Sequence, residues 1–234
     1  MDGHGFTLGG ASLRARGSGA LHWPERGVLL VSDLHLGRAE RLARRGGPLL
    51  PPYETGDTLT RLAAEIDATR PAHVIALGDS FDDRAAAQAL TAAQRATLAA
   101  LMAGRCWDWV EGNHDPGPLD LPGTHRSDLD LGPLSFRHIA RPGARGEVSG
   151  HYHPKARLRL GGARLARPAF LIDADRVILP AFGTYTGGLA TEAEALSDLM
   201  GPRAVAVLTG PRPCVLPMPR RSAPRVRRPE GTGV

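Results

Sequence analysis

Val28-Leu29-Leu30-Val31-Ser32-Asp33-Leu34-His35 runs from four consecutive apolar residues straight into a serine, a carboxylate and an imidazole. Four aliphatic residues without polar alternation read as a strand buried on both faces, the pattern of a parallel sheet covered by helices. Asp33 and His35 are both metal-type ligands two residues apart, and on an extended segment they would point to the same side.

The same grammar recurs along the chain. Val74 to Leu77 runs into Gly78-Asp79-Ser80-Phe81-Asp82, and Cys106 to Val110 into Glu111-Gly112-Asn113-His114-Asp115. Leu134 to Phe136 leads to His138, and Glu147 to Ser149 leads to Gly150-His151-Tyr152-His153. Between these strands, Thr55 to Thr69 carries Leu59, Leu62, Ala63 and Ile66 on one helical stripe, closed by Pro71. Thr91 with Gln94 predicts a capping box opening another helix ahead of Leu98 and Leu101. Loops at the carboxyl ends of strands in an open α/β sheet converge on one crevice, so the polar clusters are expected to meet. Glycines before Asp79, Asn113 and His151 leave room for the backbone to approach an ion or a phosphate.

After about residue 130 helical patterns fade. Strands are expected at 134–139, 146–149, 157–160, 169–172, 176–179, 204–208 and 215–216, punctuated by Gly132-Pro133 and Gly210-Pro211. The expectation is α/β: one domain over 1–216, with two facing mixed β-sheets flanked by helices, then a basic disordered tail at 217–234. That tail holds Arg220, Arg221, Arg225, Arg227 and Arg228 among prolines.

Composition removes several classes. The longest apolar runs are strand-sized, far too short to cross a bilayer. The start, Met1-Asp2-Gly3-His4-Gly5, has neither a basic nor an apolar leader region, which leads to the expectation of a cytoplasmic protein. Cys106 and Cys214 show no CxxC spacing and read as two core thiols, not a disulfide framework or a thiolate zinc site. The net charge is +5, and Lys155 is the only lysine. A basic surface suits a phosphate-rich partner, but abundant Arg, Ala, Gly and Pro also follow from GC-rich coding, so charge decides little.

Carboxylate, imidazole and amide oxygen together suit Mn, Fe or Zn. Seven such ligands exceed one ion and suit two, roughly 3.5–4 Å apart and bridged by a carboxylate. Ser32 and Ser80 read as turn hydroxyls, which leaves direct hydrolysis by metal-activated hydroxide as the chemistry. Taken alone, a DxH is more often structural than catalytic, and a GHxH can be a turn with two surface histidines. Five such elements in order, all at strand ends, make the signal.

The order DxH, GDxxD, GNHD, isolated His and GHxH resembles the calcineurin-like metallophosphoesterase superfamily. Val31-Ser32-Asp33-Leu34-His35-Leu36-Gly37-Arg38 and the segment from Leu179 to Leu189, Leu-Pro-Ala-Phe-Gly-Thr-Tyr-Thr-Gly-Gly-Leu, resemble the bacterial ligase-associated DNA damage response endonucleases. The resemblance implies a first metal held by Asp33, His35, Asp79 and His153. It implies that Asp79 bridges to a second metal completed by Asn113, His138 and His151, with Mn2+ the first choice. His125 competes with His138, which is preferred for its place at a strand end. By the same resemblance His114 assists the leaving group and is oriented by Asp115. Asp82 and Asp83, where relatives often carry a histidine, read as a loop cap or solvated groups ahead of a ligand-holding role. The implied substrate is DNA in repair, with an ATP-dependent DNA ligase, a helicase and a metallo-β-lactamase-type exonuclease as partners. A nucleotide or lipid-precursor phosphodiesterase, or a silent nucleic-acid-binding module, are the alternatives.

Overall fold

The computed structural model describes residues 3–51, 53–117 and 120–220. Strands β1 (Gly3–Leu8), β2 (Ala11–Arg16) and β3 (Leu21–Trp23) precede β4 (Val28–Val31). Helices α1 (Arg38–Arg44) and α2 (Glu54–Thr69) lead to β5 (His73–Leu77). Helices α3 (Arg84–Gln88) and α4 (Ala92–Met102) then lead to β6 (Cys106–Val110) and β7 (Thr124–Arg126). These seven strands form one sheet in chain order. β1 to β4 are joined antiparallel and β4 to β7 parallel.

The second half supplies β8 (Leu129–Leu131), β9 (Leu134–Arg137), β10 (Glu147–Ser149), β11 (Lys155–Leu160), β12 (Ala163–Ile172) and β13 (Arg176–Ile178). Helix α5 (Glu194–Leu199), β14 (Val205–Leu208) and β15 (Cys214–Pro217) complete it. The second sheet has the order β15-β14-β12-β13-β10-β9-β8, with β11 paired to β12.

The two sheets face each other. Leu30, Ile75, Leu77 and Val110 of the first meet Phe136, Val148, Phe170 and Val177 of the second in one buried cluster. The alternate residues Leu29, Val31, Val74 and Ala76 turn outward and are covered by Leu59, Leu62 and Ile66 of α2 and Leu98 and Met102 of α4. The outer face of the second sheet, with Leu171 and Ile178, packs on Leu196 and Met200 at α5. The continuous apolar runs are thus explained: β4 and β5 are buried on both faces. The capping box is present, with the Thr91 hydroxyl accepting from Gln94 N–H and the Gln94 side chain accepting from Thr91 N–H.

Two expectations are corrected. Pro217 lies in β15, Met218 is buried, and the Arg220 guanidinium donates to Met200 O at 2.9 Å, so 217–220 belong to the fold. The rest of the expected tail, 221–234, lies outside the described residues. Cys106 and Cys214 are exposed, because each opens a strand at its rim and does not sit in a core layer. No helix among the described residues is long and apolar enough to cross a membrane.

Candidate metal centre

The parallel pairing of β4 with β5 does not stop where the strands end. Asp33 N–H donates to Gly78 O at 3.2 Å, His35 N–H to Asp79 O at 2.9 Å, and Leu36 N–H to Ser80 O at 3.0 Å. Two ligand-bearing loops therefore run side by side, which puts Asp33 and His35 against Asp79. Behind them, Phe182 N–H donates to Ser32 O at 2.8 Å and Gly183 N–H to Asp33 O at 3.1 Å. The segment after β13 braces the first loop in this way.

The residues reach the site by an unusual backbone. Among the described non-glycine residues, positive φ occurs at Asp33 (54°), His35 (45°), Asp79 (46°), His151 (69°) and His153 (46°), and otherwise only at Arg70 and Tyr185. Left-handed backbone is costly for residues with a Cβ and concentrates where function over-determines it. It also revises the expected geometry, since Asp33 and His35 share a site through two left-handed kinks and not through strand alternation. His151 and His153 are turned apart. Asp33, His35 and His153 each bring a donor atom within 4.8 Å of the others, Asp79, His138 and His151 do so separately, and His35, Asp82 and His114 form a third such group.

Close approach explains the glycines. A Cβ on Gly150 would overlap Ser32 Oγ, and one on Gly112 would overlap the Asp79 backbone and carboxylate. Gly78 combines positive φ (73°) with the His138 ring lying directly against it.

Too few protons are available for the acceptors present. His138 Nε2 lies 3.0 Å from Asn113 Oδ1, 3.1 Å from His151 Nδ1 and 3.3 Å from Asp79 Oδ2. A ring nitrogen carries at most one hydrogen, so it cannot serve all three. His138 Nδ1 faces Leu77 O at 3.0 Å, which fixes the ring. Asp33 Oδ1 is buried and receives no hydrogen bond, although His153 Nε2 stands 3.0 Å away. His35 Nε2 and His153 Nε2 face each other at 3.4 Å.

Burial pushes Asp79 up, yet the adjoining His138 outweighs it and holds the carboxyl down at about 2. Burial opposes a charge on His138, but Asp79 and Asp33 raise it to about 9. Burial likewise opposes the Asp33 charge, and His153 and His138 win, holding it below the usual carboxylate range. Positive charge is what these buried oxygens call for, and the donor set fits divalent cations.

Two carboxylates play parts that sequence reading misplaced. Asp82 is 0% exposed and lies 2.8 Å from His35 Nδ1, with Arg38 Nη1 donating at 3.0 Å and Arg41 Nη1 at 2.7 Å. It is neither cap nor solvated group, but a buried carboxylate behind His35 that accepts from the two arginines. Asp83 is the cap, accepting from Ala86 N–H at 2.8 Å at the start of α3. Asp115 does not orient His114. Its carboxylate accepts from Ser80 N–H at 2.8 Å, Phe81 N–H at 3.1 Å and Gly112 N–H at 3.1 Å, tying the Asp79 loop to the Asn113 loop. Burial, helped by Asp79 and opposed by those N–H groups, lifts it to about 6. His114 Nδ1 instead faces Asp82 O at 2.9 Å, and its own N–H donates to Asp79 Oδ1 at 2.8 Å. His125, the rival of His138, stacks on Trp109 at 6.4 Å between ring centroids, in neither ligand group.

The architecture and the strand-end site define a metallophosphoesterase-like α/β sandwich. Among solved structures the chain is similar to the crystal structure of Pseudomonas putida nuclease MPE, at 29% identity and a TM-score of 0.67. That match covers 88% of this chain and 96% of the other. No family model matches the chain, and no curated protein does.

Proposed function

We propose that the protein is a dinuclear-metal-dependent phosphodiesterase that cuts DNA. The observation that carries this reading is the convergence of Asp33, His35, Asp79, Asn113, His138, His151 and His153, from five strand-end loops, with more acceptors than protons. The similarity to a protein named as a nuclease supports the choice of substrate.

Asp33, His35 and His153 would hold one cation, Asn113, His138 and His151 the other, and Asp79 would bridge. When bound, two divalent cations lower the pKa of a water and neutralise charge on phosphate oxygens. The chain's own contribution is orientation. Asp82 behind His35 Nδ1 and Leu77 O behind His138 Nδ1 each direct a ring, leaving Nε2 toward the site. His114, its Nδ1 turned to Asp82 O, offers Nε2 to a departing alkoxide as a proton donor. Asp115 locks the two loops on which Asp79 and Asn113 stand.

Mn2+ is the proposed metal, with Fe or Zn as substitutes. Endonucleolytic cutting, a repair role, and partnership with a ligase, a helicase and an exonuclease rest on the resemblance alone. Cleavage of plasmid and oligonucleotide DNA with Mn2+ tests the reading. Wild type should cut both, and Asp79→Asn should lose at least about a thousandfold in rate, about 4 kcal/mol of barrier. DNA left intact by a protein that hydrolyses a small phosphodiester would refute the nuclease reading.

A further inference from the structure

The segment from Leu179 to Leu189 contains no metal-type ligand, yet it is fastened to the metal centre at both ends. Gly183 N–H is bonded to Asp33 O, and Gly188 lies so close to His153 O that a Cβ there would overlap it. Between them the turn is anchored from three sides. Thr184 N–H donates to Thr58 Oγ1 at 3.1 Å, Thr184 Oγ1 donates to Asp57, and Lys155 Nζ donates to Thr186 O at 2.9 Å. Phe182 is buried beneath the Arg61 guanidinium.

What this scaffold displays is Tyr185. Its φ is 60°, left-handed backbone that a tyrosine does not choose for its own conformational sake. Its ring stands 6.2 Å from that of Tyr53, at 55° between planes, and the two residues are 38% and 60% exposed. Two residues of chain place Tyr185 within about 7.6 Å of the Gly183 Cα, hence beside the Asp33 loop.

We propose that Tyr185 and Tyr53 form a stacking site for a nucleobase of the substrate strand, next to the phosphate held at the metal centre; this rests on the nuclease reading. Aromatic faces hold any base by stacking, which is why such platforms recur on strand-binding surfaces. The charges nearby are mixed, with Asp57 and Glu54 beside the Tyr185 hydroxyl and Arg61 and Lys155 bonded to the same turn. Asp57 and Glu54 act on the Tyr185 hydroxyl and, with Tyr53 foremost, push it up to about 12. Stacking needs no net charge, and it is the exposed aromatic pair that suits a base. The strand would therefore lay its phosphates toward the cations and its bases toward the tyrosines.

The test compares binding of a fluorescent decathymidylate and an equally charged abasic decamer by anisotropy, beside Mn2+-dependent DNA cleavage. Wild type should bind the base-bearing strand at least about tenfold more tightly, from stacking of one base or more. Tyr185→Gly should lose most of that preference while melting no lower than wild type, because glycine adopts φ 60° freely. Tyr185→Phe should retain it, and the salt dependence of binding should be the same in all three, since no charge is removed. Equal binding of both strands by wild type, or an undiminished preference in Tyr185→Gly, would overturn the proposal while leaving DNA cleavage to judge the nuclease reading separately. A protein that cleaves no DNA overturns both.

Discussion

Asp82 and Asp83 are neighbours in sequence and both reach Arg41, yet they differ in burial and in what else they touch. Asp82 faces His35 and two arginines inside the protein, and Asp83 caps α3 near the surface. Nothing in two adjacent aspartates says which will point inward, because that is settled by how the Asp79 loop lies against the Asp33 loop. For the same reason Asp115, beside His114 in sequence, makes its contacts elsewhere. The ligand candidates were legible because their types are restrictive and their places at strand ends repeat. Asp82→Asn should raise the Mn2+ concentration for half-maximal cleavage about tenfold to a hundredfold, as loss of a ligand's supporting acceptor does. Asp83→Ala should leave that concentration unchanged and lower stability by about 1 kcal/mol. A manganese titration of activity and a thermal melt separate the two.

At the scale of elements, the sequence showed best those that are buried on two faces or capped. Val28–Val31 and His73–Leu77 are recognisable because parallel strands under helices carry no polar alternation. β1 to β3 escaped notice. Ala11–Arg16 does alternate, with Ala11, Leu13 and Ala15 buried between exposed Ser12 and Arg14, but alanines make a faint apolar face. The polar Arg38–Arg44 and the three-residue β7 and β8 give less still. Helix α4 sits against the outer face of the first sheet and carries none of the ligand candidates, so its cap separates stability from chemistry. Thr91→Ala removes the hydroxyl that accepts from Gln94 N–H and should cost about 1 kcal/mol. That corresponds to a melting point lower by about 2–4 °C, with the cleavage rate per folded molecule unchanged. A scanning melt and a rate measured well below the transition provide the check.

Over the whole molecule, the two sheets serve to bring five loops from separate parts of the chain onto one rim. Four histidines, two aspartates and an asparagine are gathered there, at the cost of burying Asp33, His35, Asp79 and His138 away from water. Four left-handed ligand residues besides Asp33 add conformational strain to that cost. An arrangement that is unfavourable by itself is accounted for if cations complete it, as the proposed dinuclear site would. The direct measurement is manganese bound per chain at saturation, by calorimetric titration with elemental analysis of the dialysed protein. The account predicts two ions for wild type and fewer than two at the same free manganese for Asp79→Asn. Saturation at a single ion, or an Asp79→Asn protein that still holds two with unchanged affinity, would contradict it.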